Sequence, residues 1–145
     1  MRINASIAGL LTTLGLTMSK QGIGTALSYA INGRFMVPKS WISSIMLPHV
    51  MEFNKGAGLE KLSVIAGLLG ENITGLDSAE AAGKAVEAVR RLPGVLGLPS
   101  RLRDFDLELD DMVDIAGIAR SFDMLNYLPR PISTEDLYEF MKSAF

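Results

Sequence analysis

Residues 26–54 read ALSYAINGRFMVPKSWISSIMLPHVMEFN. The apolar residues recur at helical spacing and never alternate as a half-buried strand requires. A helix rich in small side chains is expected near Gly22–Asn32, closing at Asn32-Gly33, a pair that readily takes left-handed backbone angles. Pro38 suits the first turn of the next helix, where its missing N–H costs nothing. That helix continues through IleSerSerIleMetLeu to Pro48, which should kink it rather than end it, and ValMetGluPhe carries the pattern to Asn54. The same spacing holds along nearly the whole chain, so the fold class is all-α.

Upstream, Ile3–Ser19 is hydrophobic on most sides, the mark of a central, buried helix. Downstream, Lys55-Gly56-Ala57-Gly58 makes a break, and Leu59–Leu69 forms a short helix closed by Gly70. Asp77, with Glu80 three residues on, opens another helix by a capping box. Pro93-Gly94 is expected to stop it just after Arg90 and Arg91, whose charges suit a helix C-terminus. GVLGLPSRLRDF then serves as a connection. Leu109, Met112, Val113, Ala116, Ala119 and Phe122 draw one apolar stripe behind an acidic entrance. Ser133 caps a last helix with Asp136 at its third position, and Leu137, Phe140 and Met141 face inward. These signals give a bundle of about seven helices in one domain covering residues 1–145.

With 145 residues, of which 48% are hydrophobic and 21% charged, the chain has the composition of an ordinary globular domain. The net charge is −2 and no basic stripe is present, which argues against nucleic-acid binding. The absence of cysteine excludes disulfides, thiolate metal sites and cysteine nucleophiles, and suits a reducing cytoplasm. Ser6–Met18 is diluted by threonine and glycine and lacks a following cleavage pattern, so it does not read as a signal peptide. Lys20 and Gln21 end that apolar run too early for a membrane span.

His49 is the single histidine, so a metal site built mainly of imidazoles is impossible within these residues, and a nucleophilic triad fails because His49 is the sole candidate base of the usual kind. It reads as a helix-face histidine hydrogen-bonded to its neighbours. Asp104, Asp106, Glu108, Asp110 and Asp111 read as a solvated acidic helix entrance rather than a catalytic pair, which would need burial. The glycines of GlnGlyIleGlyThr follow no strand and fit a helix junction better than a phosphate loop. The eight methionines read as core filler.

Taken together with GLPSRLRDFDLELDDMVDIAGIARSF and NYLPRPISTEDLYEFMKSAF, the opening stretch resembles iron-containing (group III) alcohol dehydrogenases. The likeness is to their C-terminal helical domain, the dehydroquinate synthase-like α-domain, and runs from about Ala5 to Phe145. The resemblance implies a two-domain, NAD(P)-dependent oxidoreductase whose nucleotide-binding domain precedes a helical domain holding a divalent metal such as iron or zinc. Of the family's four metal ligands, an aspartate and a histidine belong upstream of these residues. The two later histidines fall on Thr25 and Lys39, and a further family histidine falls on Met36. Threonine is a poor substitute ligand, and lysine brings a positive charge and no free lone pair. Thr25, Tyr29, Met36 and Lys39 therefore mark a degenerate metal site and residual cleft, with no catalytic, cofactor or metal residue expected.

From the resemblance, the expectation is a truncated helical domain without its nucleotide-binding domain, metal-free and inactive as a dehydrogenase alone. It would act as a structural or interaction unit, as a homodimer or with a separate nucleotide-binding subunit. The alternatives are the helical subunit of a split NAD(P)-dependent oxidoreductase, with Lys39 replacing the metal as electrophile, and a small-ligand module using the residual cleft.

Overall fold

The computed structural model describes residues 2–145, and they form seven α-helices with no strand among them. In chain order these are α1 (Arg2–Leu16), α2 (Ile23–Phe35), α3 (Lys39–Asn54), α4 (Leu59–Leu68), α5 (Ser78–Leu96), α6 (Asp111–Arg120) and α7 (Thr134–Ser143). Short 3-10 turns cover Lys55–Ala57, Leu102–Asp104 and Asp123–Tyr127. No helix among the described residues is long and apolar enough to cross a membrane.

The opening stretch supplies the centre. Leu27 and Ile31 on α2 and Ile42 and Met46 on α3 are fully buried, and they meet Met112 and Ile115 of α6 and Leu137 and Met141 of α7. Helix α2 lies against α3 and α6, α3 continues onto α5, and α6 packs on α7. Helices α4 and α5 form a hairpin whose interface is built of small side chains, with Ala66, Ala81, Ala82 and Ala85 buried. Alanine leaves the two backbones free to approach closely.

Several boundaries move from their expected places. Helix α2 passes through Asn32-Gly33 and ends at Phe35, and the left-handed residue is Met36, with φ 56°. The Asn32 side chain instead donates to the Val37 carbonyl at 2.8 Å and fastens the turn. Pro93 does not stop α5, which runs to Leu96 and closes on Gly97 at φ 64°. Arg90 and Arg91 thus sit short of the last turn. Pro48 lies inside α3 as expected and is buried. On α6, Ile115 joins Met112, Ala116 and Ala119 in the core, whereas Val113 and Leu109 are exposed.

Helix α1 departs most from expectation. It is not central: none of its residues is buried. The hydrophobicity of a helix states a need for cover, but it does not say which polypeptide provides it. Thr12 and Thr13 return their hydroxyls to the carbonyls of Ala8 and Gly9, at 2.9 and 3.0 Å, which leaves the apolar side chains to set the helix surface.

Both capping boxes form. Asp77 accepts from the backbone of Ala79 and Glu80, and Ser133 accepts from Asp136 while the Asp136 carboxylate receives the Ser133 N–H at 2.8 Å. The backbone and hydroxyl hydrogen bonds from Ser133 hold the Asp136 carboxyl below its ordinary pKa. Ser133→Ala should cost about 1 kcal/mol, the usual worth of a helix N-cap, measured by urea unfolding. Because the folded-state pKa is depressed, the carboxylate's share is present above the ordinary aspartate range. It is lost as pH falls through the lower folded value, so the difference between parent and variant should shrink in acid.

Candidate functional site

Thr25 and Tyr29 lie one turn apart on α2, which puts both on the same side of that helix. Tyr29 stands edge-on to Phe122, with ring centroids 6.4 Å apart, and remains 39% exposed on its open side. Lys39 is the first residue of α3, and its Nζ sits 4.7 Å from the Tyr29 ring centroid. A cation over an aromatic face is favourable by about 0.5–1 kcal/mol at an exposed site. The buried Ser28 hydroxyl donates to the Gly24 carbonyl at 2.6 Å and, its one proton so used, accepts from the Ser43 hydroxyl at 2.8 Å, tying α2 to the first half of α3.

Two of the four marked positions, Tyr29 and Lys39, are therefore in contact, and Thr25 lies on their side of α2. Met36 stands apart in the interhelical turn, with its side chain exposed. The serine pair leaves no signal in the sequence, since two serines fifteen residues apart carry no pattern of their own.

A divalent metal does not suit these residues. The Thr25 hydroxyl is a weak neutral donor of electrons, and the Lys39 ammonium offers protons where a cation needs lone pairs. Among the described residues, no group of three or more His, Cys, Asp or Glu side chains is placed to hold a metal ion. The acidic entrance to α6 is spent on structure: Asp111 accepts from the Glu108 N–H, and Asp111 and Asp114 pair with Arg34 at 3.6 and 2.8 Å.

His49 lies on the other half of α3, with its Nδ1 2.9 Å from the Ser143 hydroxyl of α7. Burial, followed by the charges of Arg90 and Arg101, pushes its pKa below the ordinary histidine value. The contact spans ninety-four residues of sequence and leaves no local signal.

The chain belongs to the family described as Fe-containing alcohol dehydrogenase, C-terminal, which it matches over residues 1–145. It is 32% identical over 144 residues to the 1,3-propanediol dehydrogenase of Klebsiella pneumoniae, covering 99% of this chain and 37% of that protein. It is 30% identical to the lactaldehyde reductase of Escherichia coli K12, covering 90% of this chain and 35% of the relative. Among solved structures, a 1,3-propanediol oxidoreductase superposes with TM-score 0.81 at 33% identity, covering 86% of this chain and 32% of that one. The fold is shared with an alcohol dehydrogenase from Oenococcus oeni, at TM-score 0.86 and 24% identity, over 93% of this chain and 35% of that one. The chain thus spans little more than a third of the length of these relatives.

Proposed function

We propose that this chain is a metal-free helical unit of the iron-containing alcohol dehydrogenase family, acting in protein association and performing no dehydrogenation by itself. Hydride transfer in this family needs a nicotinamide cofactor and a metal that polarises the substrate oxygen. Thr25 and Lys39 supply no ligand for such a metal. NAD(P), iron and zinc are accordingly not expected to be held by these residues, and a reducing cytoplasm suits a chain without cysteine.

The observation that carries the association reading is the uncovered seam on α1. Ile3, Ile7, Leu10 and Leu14 are 74%, 51%, 60% and 56% exposed, and their alternating four- and three-residue spacing is that of a helix seam that packs on another helix. A second copy of α1 is the proposed occupant, giving a self-complementary dimer interface. Covering what remains exposed of these four side chains is worth roughly 4–7 kcal/mol per copy before the cost of association. Light scattering should give twice the 15.7 kDa chain mass. A single-chain mass at high protein concentration would remove the proposal.

The contact between Lys39 and Tyr29 favours a second reading, the helical subunit of a split NAD(P)-dependent oxidoreductase acting on an alcohol or aldehyde. A fixed ammonium can stabilise negative charge developing on a substrate oxygen. Mixed with a nucleotide-binding subunit, the chain should then support turnover that Lys39→Met abolishes while NAD(P)H binding persists. Failure of the mixture to bind NAD(P)H would eliminate this reading.

A further inference from the structure

A cavity of about 680 Å³ lies away from Thr25, Tyr29, Met36 and Lys39. It opens between the second half of α3, the end of α5, the Ser100-Arg101 connection and α7, with His49, Arg90, Arg101 and Ser100 among its polar residues. Phe53 and Phe140 form an aromatic wall, packed edge to face at 6.0 Å. Arg101 has no ion-pair partner among the described residues, whereas Arg90 is held by Glu87. The one carboxylate in the lining, Glu52, is engaged by Lys55 at 2.5 Å. Arg130 adds a further cation nearby, with its guanidinium 4.3 Å from the Phe53 ring centroid.

We infer that this cleft binds a small organic oxyanion, a phosphate monoester with an apolar body, through Arg101 and Arg90, with the body against Phe53 and Phe140. Guanidinium forks match phosphate oxygens and make charge-assisted hydrogen bonds, stronger than neutral ones. The cleft is of the size that small-molecule sites occupy and combines apolar walls with a few converging polar groups. The Ser143 hydroxyl lies 2.7 Å from the Phe140 carbonyl, so its single proton goes there and the oxygen accepts from His49 Nδ1–H. This leaves Nε2 as the position where His49 takes up a proton. The charged groups lining the cleft around it are Glu52 on its own helix, Arg90 on α5 and Arg101 in the connection, while α7 contributes only Ser143 and Phe140. A bound anion would offset the two arginines and ease protonation of His49.

Phenyl phosphate is the probe, and the single histidine of the chain gives one imidazole proton-NMR signal to follow. A saturable shift of that signal is expected at millimolar concentration or below, with the His49 titration midpoint moving upward in the complex. Arg101→Gln should weaken binding about tenfold, the worth of one charge-assisted hydrogen bond, and Arg103→Gln, outside the lining, should leave it unchanged. Inorganic phosphate should bind more weakly and phenol should not move the signal. No saturable shift with phenyl phosphate, an equal shift with phenol, or equal binding by the Arg101→Gln chain would overturn the inference.

Discussion

Leu10→Glu combined with Leu14→Glu should convert the proposed dimer into a monomer while leaving the helical circular-dichroism signal unchanged. Both leucines lie on α1, where no residue is buried, so the substitutions remove nothing from the core. Leucine and glutamate have similar helix propensities, which keeps α1 itself intact. In a dimer with two copies of the seam facing each other, however, four leucines would be lost and four carboxylates brought into one apolar strip. At roughly 1.5 kcal/mol or more for each buried leucine, the loss is about 6 kcal/mol, or four powers of ten in the dissociation constant. Thr12→Glu is the matched control, because Thr12 lies on the opposite side of α1 from the seam. Light scattering at matched concentrations reads the result; a dimer that survives the double substitution does not use α1.

Installing imidazoles at the two positions that the family resemblance marks should have the second large effect. Lys39→His with Thr25→His removes the ammonium and places imidazoles where the family resemblance puts metal ligands. A lysine charge about 5 Å from a dication costs roughly 2 kcal/mol even through solvent, and the lysine blocks a coordination position besides. Calorimetric titration with zinc should show binding at least about tenfold tighter than in the parent chain, a free-energy gain of about 1.4 kcal/mol. Equal zinc binding by parent and variant would mean that positions 25 and 39 do not form a ligand pair.

What the sequence made legible was local chemistry. Asp77, Ser133 and the apolar residues of α7 fell where capping and spacing put them, because those signals act within one turn of helix. Helix ends governed by packing were less legible. Pro93 reads locally as a stop, yet a proline can remain inside a helix when its surroundings hold the chain, and Pro93 is buried. Asn32-Gly33 reads locally as the end of α2, but the Asn32 side chain spans the turn and the left-handed step falls on Met36. Helix α1 was misplaced for a broader reason: its apolar faces gave no indication that the rest of the described chain would leave them open. Thr25 and Lys39 are marked by resemblance alone, and the approach of Lys39 to Tyr29 and of His49 to Ser143 depends on tertiary packing that no short motif records.

The most direct test is the metal content of the purified chain after incubation with excess iron or zinc and removal of unbound ions. Well under one tenth of an equivalent is expected, since neither Thr25 nor Lys39 provides a ligand. One equivalent of tightly held metal, lost on Lys39→Ala, would contradict a metal-free unit.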